Sequence, residues 1–134
     1  MLKELRFSHI GIATGDIEKT SSFYLKIGYS ASEVVFDPVQ NVNICFLRKA
    51  GQPEIELLAP VDEKSPVNRI ISANGVIPYH ICYEVEDIDS SIKDLRLEKF
   101  LVVSKPVPGC AMNNQRVSFL FNKDVGLIEL VEKK

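Results

Sequence analysis

The sequence predicts an α+β fold built from two tandem copies of a βαβββ module. Three short blocks of residues recur in the same order, which indicates that one unit has been duplicated. The two copies of each block are separated by 71 to 73 residues, and a difference in loop length between the halves accounts for the drift. The matched blocks are residues 7–17 with 78–88, residues 44–47 with 117–120, and residues 55–57 with 128–130.

Composition limits the class of protein. A length of 134 residues is typical of one domain, and 46% hydrophobic residues indicates a folded chain with a core. The net charge of −2 argues against a nucleic-acid partner, and no apolar run has the length of a membrane span. Three cysteines without a CxxC pair (Cys45, Cys82 and Cys110), together with a start that lacks signal-peptide character, predict reduced thiols in the cytoplasm.

The first module is predicted to open with a strand over residues 9–14. Asp16 follows as an N-cap, because its side chain can accept hydrogen bonds from the free N–H groups of the first helical turn. The helix ends at Gly28, a residue suited to a left-handed cap. This helix carries Ile17, Ser21, Tyr24 and Leu25, and strands are expected over residues 31–36, 42–49 and 54–59.

A short linker helix is predicted over about residues 65–75. Ser65 is its expected N-cap, Pro66 suits the first helical position, and Gly75 ends it. The turn-rich segment 106–114 reads equally well as a loop lining a substrate cleft or as a plain surface connection.

The second module repeats the order of the first. Its strand is expected over residues 80–85, and Asp87 is the predicted N-cap of the helix that follows. Ile88, Ile92 and Leu95 form the apolar stripe of that helix, and strands are expected over residues 100–104, 115–121 and 126–132. Module one is thus assigned to about residues 5–60 and module two to about residues 77–132, within a single domain of residues 1–134.

Four polar residues occupy matched positions inside apolar strands: His9 with His80, and Glu56 with Glu129. A buried carboxylate without compensation is very costly, so two such carboxylates at equivalent positions need a partner. One divalent cation satisfies two glutamates and two neutral imidazoles together, which makes these four residues the candidate ligands. The alternative is a pair of His–Glu ion pairs without metal, and a single strand histidine taken alone is usually structural.

Several motifs resemble the vicinal oxygen chelate superfamily, which is the glyoxalase, bleomycin resistance and extradiol dioxygenase fold. The resemblance implies paired βαβββ modules that form a cleft around one divalent ion (Co, Ni, Zn, Mn or Mg), with His9, Glu56, His80 and Glu129 as its ligands. The motifs are His-Ile-Gly-Ile-Ala at 9–13, Ile-Glu-Leu-Leu-Ala-Pro at 55–60, Tyr-His-Ile-Cys-Tyr-Glu-Val-Glu-Asp-Ile at 79–88 and Gly-Leu-Ile-Glu-Leu-Val-Glu at 126–132.

Within that superfamily the chain is most similar to methylmalonyl-CoA epimerases and to glyoxalase-like (lactoylglutathione lyase-like) proteins. Both classes remove a proton α to a carbonyl, and the resemblance implies Glu129 as the first choice for the base and Glu56 as the second. Ala13 stands where glyoxalase I usually has an arginine, which favours the epimerase. Glyoxalase I activity and a non-catalytic binding protein are the alternatives. The expected partners are an acyl-CoA or a glutathione hemithioacetal and a second copy of the chain, with no nucleic acid and no membrane.

Overall fold

The computed structural model describes residues 2–134 and confirms the α+β class. Its helices are α1 (Ile17–Lys26), α2 (Val67–Asn74) and α3 (Ile88–Leu97). Its strands are β1 (Arg6–Ala13), β2 (Ser30–Ala31), β3 (Val35–Asp37), β4 (Val42–Arg48), β5 (Glu54–Pro60), β6 (Ile77–Val85), β7 (Leu101–Pro108), β8 (Arg116–Asn122) and β9 (Gly126–Glu132). The chain divides into a first unit of residues 9–79 and a second unit of residues 80–134 with residues 2–8.

The first unit is a sheet in the order β2-β4-β5-β1, with β3 paired to β4. The pairing of β1 with β5 is parallel, and that of β4 with β5 is antiparallel. One face of this sheet buries an apolar cluster against α1, and the cluster is formed by Ile12, Cys45, Leu47, Ile55 and Leu57. Ile17 and Tyr24 of α1 pack on it as predicted, whereas Leu25 is 49% exposed.

The second unit repeats this plan in the order β6-β9-β8-β7. Here β6 and β9 are parallel, and β9 and β8 are antiparallel. The predicted stripe of α3 holds, since Ile88 and Leu95 are buried in a core cluster and Ile92 packs against it. Leu5 from the N-terminal segment also joins this cluster.

The caps of α1 and α3 confirm the predicted helix starts. The Asp16 carboxylate accepts a hydrogen bond from Lys19 N at 3.0 Å, and the Asp87 carboxylate accepts one from Ser90 N at 3.0 Å. The C-cap of α1 is Ile27 and not Gly28, which instead follows the cap with a positive φ of 103°.

The predicted cap of α2 is wrong at its start. The N-cap is Pro66 and no side chain caps the helix, because the Ser65 hydroxyl accepts from Val61 N at 2.9 Å and donates to the Asn41 carbonyl. Gly75 does end the helix, with φ 74°.

The strand expected over residues 31–36 is wrong, because two short strands, β2 and β3, flank an interruption there. At the interruption the Ser32 hydroxyl, rather than a backbone carbonyl, accepts the hydrogen bond of Phe46 N at 2.9 Å. A side chain therefore replaces one rung of the ladder, which breaks a regular strand as a bulge does.

The strand expected over residues 100–104 is too short, because β7 continues to Pro108 and takes in the start of the predicted loop. Its pairing with β8 shifts register between Val102 and Ser104 and again between Ser104 and Val107. Pro106 lies within the second irregularity, where the missing N–H breaks no regular ladder. Only Cys110–Met112 form a short 3₁₀ turn within the rest of the predicted loop.

None of the helices in residues 2–134 has the length and apolar character needed to cross a membrane. Cys45 and Cys82 are buried thiols and Cys110 is an exposed one, in agreement with the prediction of reduced cysteines.

Candidate metal centre

His9 and Glu56 come together in the first unit. In the parallel pairing of β1 with β5, Gly11 lies opposite Glu56, so His9 is the diagonal neighbour of that glutamate. The Nε2 atom of His9 lies 3.2 Å from Oε1 of Glu56, and both residues are buried. Such burial calls for charge compensation, since an ionised carboxylate loses its hydration there.

An aromatic ring supports this pair from the neighbouring strand. Phe46 on β4 lies directly opposite Glu56 in the antiparallel register. Its ring meets the His9 imidazole edge to face, with centroids 5.5 Å apart and planes at 84°. The guanidinium of Arg48 lies 5.2 Å from the centre of the same ring and pairs with Glu54 at 3.2 Å.

His80 and Glu129 form the corresponding pair in the second unit. In the parallel pairing of β6 with β9, Cys82 lies opposite Glu129, which again makes the histidine the diagonal neighbour. The His80 Nε2 lies 3.2 Å from Glu129 Oε1, and both side chains are at most 2% exposed. The two pairs thus share the same strand order and the same contact.

The aromatic support recurs as well. Phe119 on β8 lies opposite Glu129, and its ring meets the His80 imidazole with centroids 5.1 Å apart and planes at 90°. Sequence reasoning matched Phe46 with Phe119 in the repeat but gave neither a role at the site. The signal was present, since each phenylalanine precedes its glutamate by ten residues.

The strand that carries Glu129 is anchored at its far end. Glu132, the last residue of β9, accepts a hydrogen bond from Ile88 N at 2.9 Å at the start of α3. Arg116 on β8 donates to Glu132 at 3.0 Å and to Asp89 at 2.8 Å. The hydrogen bond from Arg116, with that from Ile88 N, lowers the pKa of Glu132 from its ordinary value. The same two carboxylates raise the pKa of Arg116.

The predicted residues thus form a set of possible metal ligands. His9, Glu56, His80 and Glu129 are all buried, and each offers a nitrogen or oxygen atom of the kind that binds divalent cations. One histidine and one glutamate lie in each unit, and the arrangement inside each unit follows from where the duplicated strands place them.

Comparison with known proteins gives a consistent family. The family model for the glyoxalase/bleomycin resistance protein/dioxygenase superfamily matches residues 8–119. The chain is 35% identical to human mitochondrial methylmalonyl-CoA epimerase over 131 residues, which is 93% of this chain and 72% of that protein.

Solved structures agree with the sequence comparison. The methylmalonyl-CoA epimerase of Mycobacterium tuberculosis is similar with a TM-score of 0.86 at 27% identity, over 100% of this chain and 93% of that one. A variant of the Streptomyces coelicolor methylmalonyl-CoA epimerase, in complex with 2-nitronate-propionyl-CoA, has a TM-score of 0.83 at 29% identity and covers 97% and 99% of the two chains.

Proposed function

The chain belongs to the glyoxalase/bleomycin resistance protein/dioxygenase superfamily, and on that premise we propose that it is a metal-dependent methylmalonyl-CoA epimerase. Its substrate is methylmalonyl-CoA or a closely similar acyl-CoA thioester with an acidic α-hydrogen. The similarity to epimerases over more than nine tenths of the chain supports this substrate class. The observation that carries the proposal is the duplicated His–Glu pair. Burying two carboxylates is costly, and a protein of this fold that only binds a small molecule does not need them at equivalent positions.

The donor set fits a divalent ion. His9 and His80 offer imidazole nitrogens, and Glu56 and Glu129 offer carboxylate oxygens, all in buried positions. We propose that these four residues hold one ion, so that modules one and two act as a single domain. The proposed ion is Co, Ni, Zn, Mn or Mg, and elemental analysis of the purified protein identifies it. When bound, the ion supplies Lewis acidity to the carbonyl oxygen of the thioester, which stabilises negative charge in the enolate.

Glu129 is the residue that we assign as the base. Its carboxylate accepts the α-proton, and the electron pair of the broken C–H bond passes into the enolate. Epimerisation then needs a proton on the opposite face of the same carbon. Glu56 would be the donor there when it carries the proton and is released from the ion, and the two glutamates would exchange roles in the reverse direction.

The test is a measurement of both turnover and hydrogen exchange. Metal-loaded protein should interconvert the two epimers of methylmalonyl-CoA and exchange the α-hydrogen with deuterated water at a comparable rate. Turnover of the methylglyoxal–glutathione hemithioacetal instead would identify glyoxalase I activity. Binding of the thioester without exchange would identify a binding protein of the same fold.

Two further parts of the proposal concern assembly and location. We propose that the enzyme is a homodimer, because β7 ends the sheet of the second unit and exposes Leu101 and Val103. The cysteine pattern supports the cytoplasm as its location. Fractionation of cells that express the chain at its native level measures its location.

A further inference from the structure

In each unit, a phenylalanine and a serine on the neighbouring strands adjoin the candidate ligand pair in the same arrangement. In the first unit the His9 ring packs against Phe46, and the Phe46 N–H donates to the Ser32 hydroxyl at 2.9 Å. In the second unit His80 packs against Phe119, and the Phe119 N–H donates to the Ser104 hydroxyl at 3.0 Å. In a regular sheet a backbone carbonyl would accept these hydrogen bonds, so the sheet itself does not require a serine hydroxyl at the same position in both units.

The residue before each phenylalanine closes the same contact. The Cys45 thiol donates to the Ser32 carbonyl with a separation of 3.4 Å, and the Ser118 hydroxyl donates to the Ser104 carbonyl at 2.5 Å. Each serine is therefore held through its carbonyl while its hydroxyl holds the phenylalanine. We call this group the serine clamp: Ser32 with Cys45 in the first unit, and Ser104 with Ser118 in the second.

We propose that Phe46 and Phe119 are positioning residues for the two histidines, each fixed by its serine clamp. The ring blocks rotation of the imidazole about its side-chain bonds, so that Nε2 stays directed at the glutamate 3.2 Å away. The phenylalanine also lies opposite that glutamate in the strand register, so one residue adjoins both members of the pair. Neither ring carries a donor atom, so its contribution is to orientation and not to coordination.

This inference rests on the proposed metal function, because the orientation matters only if the imidazoles bind an ion. Groups that orient ligands without touching the metal change metal affinity by roughly 10–100-fold when they are lost. Leucine keeps an apolar side chain at the position but removes the flat ring. Phe46→Leu and Phe119→Leu should therefore each weaken binding of Co²⁺ by about that factor.

Phe100 is the matched control. It is a phenylalanine buried in the core of the second unit, within the cluster formed with Ile88 and Leu95. Phe100→Leu makes the same chemical change and should lower the melting temperature while leaving the Co²⁺ affinity unchanged. Phe46→Tyr and Phe119→Tyr keep the ring, and their affinity should stay close to that of the unsubstituted protein.

The experiment is calorimetric titration of the chelator-treated protein with Co²⁺, with the visible absorption of the bound ion as a second readout. The proposal is supported if Co²⁺ binding is weakened and the Co²⁺ spectrum altered in Phe46→Leu and Phe119→Leu but not in the other variants. Equal binding in all variants, or equal weakening by Phe100→Leu, overturns it while the metal function stands. Absence of Co²⁺ binding by the unsubstituted protein overturns the metal function, and the positioning role with it.

Discussion

At the scale of single residues, burial of charge distinguishes this site. Glu56 and Glu129 are each about 2% exposed, a position that a carboxylate occupies only with compensation. The sequence predicted them because each glutamate interrupts an apolar strand and the two interruptions are equivalent. It could not predict the edge-to-face support by Phe46 and Phe119, since an apolar residue in a strand has many equally good neighbours.

Substitution of Glu129 by glutamine tests the proposed base. Gln keeps the shape of the side chain and an oxygen that can coordinate weakly, but it cannot accept the α-proton. We expect Glu129→Gln to keep the fold and much of the metal while losing roughly 10²–10⁴-fold in turnover, the usual contribution of a positioned base. Exchange with deuterated water should slow in parallel for the epimer whose α-hydrogen Glu129 removes, and mass spectrometry of the recovered thioester measures it.

Glu56→Gln is the matched comparison, because the same change is made in the other buried pair. If the two glutamates serve opposite faces, each variant should retain exchange of the hydrogen in one epimer and lose it in the other. Full turnover by metal-loaded Glu129→Gln would show that the base lies elsewhere, with Glu56 the next residue to examine.

At the scale of secondary structure, four strands follow the predicted bounds within one residue, namely β4, β5, β8 and β9. β1 and β6, which open the two modules, each begin three residues earlier than predicted. The four candidate ligands do lie in strands as predicted, in β1, β5, β6 and β9, because burial of one face fixes the register of a strand. The larger departures lie on the far side of β4 and β8, at Ser32 and Ser104, where a hydroxyl takes the place of a backbone acceptor. The hydrophobic pattern reports which side chains are buried and not which hydroxyls accept backbone hydrogen bonds, so it cannot predict where a strand is interrupted.

The start of α3 carries a pH-sensitive contact. Arg116 and Ile88 N hold Glu132 in its charged form and lower its pKa from the ordinary value of 4.5. A carboxyl whose pKa is lower in the folded state stabilises the fold above its unfolded pKa, and this stabilisation is lost as the pH falls through the lowered value. Glu132→Gln should therefore reduce the melting temperature at pH 7 and have little effect well below pH 4.5.

Circular dichroism melts at neutral and acidic pH measure this difference. Glu86→Gln serves as the control, because Glu86 is an exposed carboxylate on the same unit whose ion pair with Lys133 spans 3.4 Å. Glu86→Gln should leave the difference in melting temperature between neutral and acidic pH unchanged. An equal loss of stability from Glu132→Gln at both pH values would show that the charge of Glu132 is not what stabilises this end of α3.

At the scale of the whole molecule, the duplicated order of elements was the most informative signal in the sequence. It predicted two like units and which residues correspond, and the structure places each histidine 3.2 Å from the glutamate of its own unit. The choice of reaction came from the family and not from the repeat, because many chemistries share one fold.

Assembly of two chains is the next expectation at this scale. Leu101 and Val103 of the edge strand β7 are 69% and 61% exposed, and an apolar edge of this kind favours pairing with another copy. We expect the chain to sediment as a homodimer and Val103→Lys to shift it towards the monomer, because a charge on an edge strand opposes pairing. A monomer at high concentration of the unsubstituted chain would contradict this.

Metal stoichiometry tests whether the two units act together. If His9, Glu56, His80 and Glu129 hold one shared ion, purified protein should bind about one divalent ion per chain at saturation. His9→Ala and His80→Ala should then weaken the same binding event, each by more than the roughly 10–100-fold that loss of an outer supporting group costs. Two independent His–Glu sites would instead give two ions per chain, with each substitution abolishing one and sparing the other. Unchanged binding in both variants would exclude these histidines as ligands, and the buried carboxylates would then be compensated by ion pairs alone, the alternative to a metal.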